Sequence, residues 1–172
     1  LKVAKKHSRR DYALLLIAYR HGLRASEVGL LRKEDLDFKT NRIRVSRLKH
    51  SMGGDQHLEP DEAQALRSYL RTRKDSLPYL FLSRKRRPIS RYALDDLMKR
   101  YGALARIPAD RRHFHVLKHS IAMHLTAGET SVMALRQWLG HKNIQNTMVY
   151  AQLRSPQVER EVRRARQSGE VV

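Results

Sequence analysis

The segment RDYALLLIAYRH, residues 10–21, constrains the fold more than any other stretch of the 172-residue chain. It is apolar nearly all round a helix, and Gly22 follows it directly. We therefore predict a buried helix that ends at a glycine cap. Such a helix needs neighbours on every side, and a chain of this length has room for one compact domain with a core of that kind.

The other segments predict more helices and one small sheet. Ser26 is a candidate N-cap for the short helix SEVGLL, which places Arg24 in the corner before it. In NRIRVSRL, residues 41–48, Ile43 and Val45 alternate with arginines, and GGD at 53–55 turns the chain toward a second strand. Further helices are predicted for residues 61–74, 91–101, 115–127, 131–139 and 143–153, the fourth capped by Thr130, with a tail helix from Ser155. The predicted fold class is mainly α with a small antiparallel β-sheet (α+β).

Charge is the strongest compositional signal for function. Lysine and arginine number 36 against 17 aspartates and glutamates, so the formal net charge is +19 and a polyanion is the expected partner. The absence of cysteine excludes disulfides, thiolate metal sites and cysteine nucleophiles. The longest apolar run, Tyr12 to Tyr19, is too short to span a bilayer, so we expect a soluble protein of the cytoplasm, associated with the nucleoid.

Polar residues suited to phosphate chemistry follow one another in a defined order. They are Arg24 in GLRASEV, Lys49 in SRLKHS, His115 and Lys118 in HVLKHS, His141 in LGH, and Tyr150 in MVYAQL. From about residue 8 to 153 this order closely resembles the catalytic domain of the tyrosine recombinases, also called phage integrases. The sequence also resembles the small recombinases that invert fimbrial promoter segments. The stretches that carry this likeness are HGLRASEV, LGHKN, and RLK followed by FLSRK and PISR.

The resemblance implies the tyrosine recombinase catalytic-domain fold and a site-specific recombinase. Tyr150 would attack a DNA phosphodiester to leave a covalent 3′-phosphotyrosine, and Lys49 would be the general acid. Because the intermediate keeps the phosphodiester energy, neither a nucleotide nor a metal is needed, and no cofactor is expected. Residues 1–172 would form the catalytic domain, with 154–172 a tail helix. This tail is expected to bind another copy of the chain, and packing against its own domain is the alternative. The chain opens on Leu1 rather than Met, which is compatible with an N-terminal DNA-binding domain upstream.

The residue types also suit a phosphodiester transition state, in which negative charge grows on the non-bridging oxygens. Arg24 offers a planar fork to two oxygens, and Glu27 is expected to hold that guanidinium. His115 and Lys118 share one helix face, where His115 accepts the tyrosine proton or hydrogen-bonds the phosphate. His141 is expected to donate to an oxygen.

Lys118 departs from the family pattern, because it occupies the position of the second arginine. Lysine keeps the charge but loses the bidentate fork, so weaker transition-state binding is expected. A slow natural enzyme, an engineered substitution and a DNA-binding relative that does not cut all fit this exchange. The three remaining histidines of this region, His113, His119 and His124, are expected to be structural or surface groups.

The stretch SRKRRPISRY, residues 83–92, is the densest candidate for contacts with DNA phosphates. Its basic residues are Arg84, Lys85, Arg86, Arg87 and Arg91. A duplex clasped by them would be released by salt. Base-reading residues cannot be named from the sequence.

Two questions stay open at this level. On a helix through residues 143–153, a core stripe would contain Ile144, Thr147, Met148 and Ala151, and Tyr150 would lie about 110° away from it. Tyr150 as a boundary aromatic with its hydroxyl in solvent is therefore an alternative to Tyr150 as the nucleophile.

The second question is the function of the chain. A catalytically impaired DNA-binding regulator of the same fold is the alternative to the enzyme, and a basic RNA-binding protein would explain the charge alone. The nine histidines show no paired zinc spacing, so no metal site is expected.

Overall fold

A computed structural model describes residues 1–47, 53–128 and 130–151 of the chain. The predicted general acid Lys49 and the predicted tail helix, residues 154–172, lie outside the described residues.

The described residues form α-helices around a small sheet. The helices are α1 (Lys2–His7), α2 (Arg9–Arg20), α3 (Ala25–Leu30), α4 (Pro60–Leu70), α5 (Arg91–Leu104), α6 (His115–Ala127), α7 (Val132–Leu139) and α8 (Gln145–Ala151). The strands are β1 (Leu36–Asp37), β2 (Arg42–Val45) and β3 (Gly54–His57), joined in that order by antiparallel pairing. The predicted fold class, mainly α with a small antiparallel sheet, is confirmed.

Helix α2 lies at the centre of the larger core, as its apolar sequence predicts. Leu14 and Ile17 are fully buried, and the helix packs against α1, α4 and α6. Gly22 follows with a φ of 56°, the left-handed conformation that glycine adopts at low cost. A Cβ at this position would lie 2.6 Å from the Leu139 side chain of α7. The glycine therefore both ends the buried helix and lets α7 approach it.

Two predicted caps are wrong. Helix α3 begins at Ala25, so Ser26 lies inside its first turn, and the Glu27 carboxylate reaches back to accept the Arg24 backbone N–H at 2.7 Å. Helix α7 is capped by Ser131 rather than Thr130, because the Ser131 hydroxyl accepts from the Ala134 backbone N–H at 3.2 Å.

The helix predicted for residues 61–74 is shorter than expected. It begins at Pro60, in the first-turn position that suits proline, and ends at Leu70. Beyond the helix, the Arg73 guanidinium donates hydrogen bonds to the backbone carbonyls of Tyr79 and Leu80 and to the Asp75 carboxylate. Hydrogen bonds to the extended segment 79–82 thus take the place of another helical turn.

The sheet follows its predicted alternation. Ile43 and Val45 are buried in β2, whereas Arg42 and Arg44 are exposed. Strand β3 begins at Gly54 and so includes part of the predicted turn. None of the helices in the described part of the chain is long and apolar enough to cross a membrane.

A second, smaller apolar cluster joins the last three described helices. It contains Ile121 and Ala122 of α6, Leu135 and Leu139 of α7, and Tyr150 of α8. This cluster fixes α8 against α6, and with it the side chain that the sequence identifies as the nucleophile.

Candidate active site

Arg24 lies at the corner before α3, where Glu27 holds it. The Arg24 guanidinium donates to Glu27 Oε1 at 2.8 Å and the Arg24 side chain remains 34% exposed. The Glu27 side chain is buried. Burial by itself would raise the pKa of Glu27, but the Arg47 cation and the hydrogen bonds from Arg24 outweigh it and hold the pKa below its ordinary value. The predicted pairing of Arg24 with Glu27 is therefore present, with the arginine open to solvent.

Arg47 is a second cation of this site, and the sequence reasoning did not identify it. Its side chain is fully buried at the end of β2, where it donates to Glu27 Oε2 at 2.8 Å. It also donates to the carbonyls of Gly22, His21 and Trp138. These bonds tie the corner after α2 to the end of α7. The signal was the RLK motif itself, in which Arg47 precedes Lys49 by two residues.

Lys118 lies on α6 with its side chain buried, and its Nζ donates to the Leu139 carbonyl at 2.6 Å. Burial and the positive charges of Arg47 and Arg24 lower its pKa to about 7. Together with Arg47, which binds the Trp138 carbonyl, Lys118 provides cationic donors to the last carbonyls of α7. The ammonium is therefore close to the other two cations, as the predicted constellation requires.

His141 follows α7 directly and is buried. Its Nδ1 lies 3.0 Å from the hydroxyl of Thr147, which is fully buried on α8. Burial and the charges of Lys118, Arg24 and Arg47 lower the pKa of His141 to about 4, so the ring is neutral near pH 7. In the tautomer in which Nδ1 accepts from Thr147, Nε2 carries the hydrogen and remains a donor.

Tyr150 is buried rather than exposed at the boundary. Its ring is 7% exposed, while Met148, assigned to the core stripe, is 37% exposed. The predicted core stripe is therefore wrong at Met148. The alternative of a boundary aromatic with its hydroxyl in solvent does not hold for Tyr150, because α8 packs its side chain into the small cluster with Leu135 and Leu139. Thr147, also assigned to the stripe, is fully buried as predicted.

The Tyr150 hydroxyl lies 2.6 Å from Nδ1 of His119, an exposed residue of α6. His119 was expected to be a structural or surface group, so its contact with the nucleophile candidate was missed. The sequence signal was its position next to Lys118 in HVLKHS. Burial raises the pKa of Tyr150, so the phenol is protonated near neutral pH.

His115 begins α6 and borders a cavity of about 480 Å³. Arg24, Arg91 and His113 line the same cavity. Partial burial and the charges of His119 and Lys118 lower the pKa of His115. Asp95 of α5 accepts the backbone N–H of Phe114 at 3.0 Å and so fixes the approach to the helix. The cavity is a candidate binding site for a phosphate.

The predicted phosphate-contacting stretch forms an exposed turn that is closed by a bridge between Leu82 and Pro88, and it leads into α5. Arg84, Lys85, Arg86 and Arg87 are exposed in the turn, and Arg91 is exposed as the first residue of α5. Arg84, Lys85 and Arg87 border a second cavity of about 540 Å³, whereas Arg91 borders the cavity of Arg24 and His115. No cluster of three histidine, aspartate or glutamate side chains that could hold a metal occurs among residues 1–47, 53–128 and 130–151.

Comparison with known proteins decides the family. The model of the phage integrase family matches residues 1–156. The chain belongs to the phage integrase family. It is 35% identical over 149 residues to the type 1 fimbriae regulatory protein FimB of Escherichia coli K12, covering 84% of this chain and 74% of FimB.

Two further family matches are longer proteins. Tyrosine recombinase XerA of Thermococcus onnurineus is 31% identical over 159 residues, which is 89% of this chain and 54% of XerA. The solved structure of the XerH site-specific recombinase, bound to a palindromic difH substrate in a post-cleavage complex, superposes with a TM-score of 0.79 at 18% identity. That match covers 94% of this chain and 49% of the XerH chain. The chain thus spans about half the length of these two proteins.

These matches confirm the predicted fold of a tyrosine recombinase catalytic domain. They also confirm the predicted class, a tyrosine-type site-specific recombinase, and the likeness to the fimbrial type. The non-catalytic regulator is not favoured by them.

Proposed function

We propose that this chain cleaves and rejoins DNA strands through a covalent 3′-phosphotyrosine at Tyr150. The observation that carries the proposal is the position of two neighbouring residues of α6, Lys118 and His119. Lys118 lies close enough to Arg24 and Arg47 for their charges to lower its pKa, and Nδ1 of His119 lies 2.6 Å from the Tyr150 hydroxyl. A nucleophile and a set of fixed cations are the two requirements of metal-free phosphoryl transfer.

Each cation and donor has a role in this proposal. Arg24 binds non-bridging oxygens through its exposed guanidinium, which Glu27 orients. Neutral His141 donates a hydrogen bond from Nε2, since Thr147 occupies Nδ1. His115 borders the cavity shared with Arg24 and donates to the phosphate. Lys118 contributes charge at close range.

Arg47 serves as a positioning residue rather than a ligand of the phosphate. It is fully buried and binds Glu27, which in turn binds Arg24. Its bond to the Trp138 carbonyl also holds the end of α7, from which His141 follows. Lys49, two residues further along the chain, is proposed as the acid that protonates the departing 5′ oxygen, on the strength of its place in the family motif.

The proposed partner is double-stranded DNA. The net charge of +19, the exposed basic residues 84–87 and the DNA-bound state of the XerH neighbour support it. Assembly of several copies on DNA through the tail, residues 154–172, is proposed from the resemblance to the family. A cytoplasmic location on the nucleoid is part of the same proposal.

A duplex with a nick near the cleavage site tests the function. Cleavage releases the short strand that carries the 5′ hydroxyl, so the rejoining step cannot occur and the covalent intermediate accumulates. Candidate sites are taken from DNA flanking the gene. We expect a covalent protein–DNA adduct that resists denaturation, and no adduct with Tyr150→Phe, which keeps the ring and removes the nucleophilic oxygen. Tyr19→Phe, which removes another hydroxyl that contacts a histidine of α6, should form the adduct. Adduct formation by Tyr150→Phe would refute the proposal.

A further inference from the structure

The proton of the nucleophile has a well-placed acceptor that the family motif does not name. The Tyr150 hydroxyl lies 2.6 Å from His119 Nδ1, within hydrogen-bond range. A phenol O–H that donates to the unprotonated Nδ1 of a neutral imidazole is already in the geometry of a general-base pair. The pairing joins α6 to α8 across 31 residues of sequence.

The environment of Tyr150 makes an acceptor necessary. The ring is nine-tenths buried among Ile121, Leu135 and Leu139, and burial raises the pKa of the phenol. A neutral phenol is a poor nucleophile toward phosphorus, so its proton must be removed as the new bond forms. Among the described residues, the hydrogen-bond partner of the hydroxyl is Nδ1 of His119.

His115, the motif histidine, is placed for a different task. Its ring meets the ring of His119 edge-on, with centroids 4.5 Å apart and planes at 88°. His115 borders the cavity with Arg24, whereas His119 faces the tyrosine. Titratable groups in described contact with His119 are His115 on its own helix and Tyr150 on α8.

We propose that His119 is the general base that accepts the Tyr150 proton, while His115 serves the phosphate. This inference rests on the proposed function. In the step, the Tyr150 O–H bond breaks and its proton passes to His119 Nδ1. The phenolic oxygen forms a bond to phosphorus, and the bond from phosphorus to the 5′ oxygen breaks. That oxygen leaves with the proton that the general acid provides. Rejoining reverses each transfer, so His119 returns the proton to Tyr150.

Two substitutions and a matched control test this role on the nicked duplex. His119→Ala removes the base, and His119→Gln keeps a polar partner for the hydroxyl that cannot take up a proton near neutral pH. The control is His124→Ala, one and a half turns further along α6. His124 Nδ1 lies 2.5 Å from the hydroxyl of Tyr19 and so forms the same kind of pair with a tyrosine that has no place in the reaction.

We expect adduct formation by both His119 variants to slow by about 10²- to 10⁴-fold, the usual contribution of a general base. Added imidazole should restore part of the rate of His119→Ala and leave His119→Gln unchanged. The pH profile of adduct formation, measured from pH 5 to 8, should change in both variants, because the group that accepts the proton is gone. His124→Ala should match the wild-type rate with no response to imidazole.

Wild-type rates in the His119 variants would overturn the assignment. A slowed Ala variant that ignores imidazole and keeps the wild-type pH profile would also overturn it, since it would show a packing role alone. Faster cleavage would show that His119 restrains the tyrosine. Failure of the proposed function can be told apart from failure of the His119 assignment. It would appear as adduct formation by Tyr150→Phe in a protein that keeps His119.

Discussion

At the scale of single residues, the site is a set of cations brought together at the cost of their own hydration. Lys118 is buried beside Arg47 and Arg24, and its pKa falls to about 7. Among the described residues, the carboxylate that contacts both arginines is that of Glu27. An incoming phosphate would supply the missing negative charge, so the cluster is arranged for an anion rather than for its own stability.

Lys118→Arg is expected to raise cleavage of a cognate site by up to about 10²- to 10³-fold, because the guanidinium restores a bidentate contact. Its advantage should grow with pH. The pKa of Lys118 lies at about 7 instead of its ordinary 10.5, so the lysine is charged below pH 7 and loses charge above it, whereas arginine stays charged. DNA phosphate favours the charged form and displaces this loss to higher pH.

The measurement is single-turnover adduct formation by the two proteins from pH 6 to 9, with thermal unfolding as the control for packing. Equal or lower activity of the Arg variant at every pH would contradict the expectation. A ratio of the two rates that stays constant with pH would contradict the role of the Lys118 charge.

At the scale of elements, α7 is the part that the remaining site residues depend on. Its last carbonyls accept from Arg47, Gln56 and Lys118, so the segment after β2, strand β3 and helix α6 all hold its end. Gly140 ends the helix in the left-handed conformation and directs the chain to His141. A displacement of α7 would move His141 and the cationic donors together.

Gly22→Ala is expected to disturb the packing of α7 without changing any side chain of the proposed site. The residue has a φ of 56°, and an added Cβ would lie 2.6 Å from Leu139 of α7. We expect a loss of about 1–3 kcal/mol in the free energy of unfolding, from backbone strain and overpacking. Urea unfolding measures it, with Gly54→Ala as the control because a Cβ there meets nothing within 4 Å. Equal midpoints for the two variants would contradict this explanation.

The sequence predicts elements better than it predicts their ends and contacts. The buried helix and the alternating strand follow from local patterns and are confirmed, and the order of the motif residues led to the family that the comparisons show. The cap at Ser26 is wrong because the helix begins one residue earlier, at Ala25, where the Glu27 carboxylate accepts the Arg24 backbone N–H. Tyr150 is buried because α6 and α7 cover α8 from positions distant in sequence. The contacts of Arg47 and His119 depend on the same tertiary packing, which no single segment encodes.

At the scale of the whole molecule, positive charge is distributed between two regions with different tasks. Arg47 and Lys118 are buried and Arg24 is partly exposed with its guanidinium held by Glu27, whereas residues 84–87 are exposed in a turn. Arg91, the first residue of α5, lines the cavity of Arg24 and His115.

Replacing Arg84, Lys85 and Arg87 together by alanine is expected to weaken DNA binding and its salt dependence. Each lost phosphate contact reduces the magnitude of the slope of log K against log salt concentration by about 0.9. Loss of three contacts should therefore reduce the magnitude of this slope by up to about 3. Binding of a 30-base-pair duplex of arbitrary sequence is measured from low to moderate salt. A triple alanine variant of Lys39, Arg71 and Lys74, also exposed, removes the same charge as a control. Equal slopes for the two variants would contradict a specific contact surface.

The most direct measurement of the central claim is the position of the covalent bond to DNA. The trapped adduct is digested with nuclease and protease, and its peptides are sequenced by mass spectrometry. The account predicts a nucleotide attached through its 3′ phosphate to the oxygen of Tyr150. A nucleotide on any other side chain would contradict the account. So would the absence of any covalent adduct on a DNA site that the protein binds, provided that the Lys118→Arg variant also fails to cleave that site.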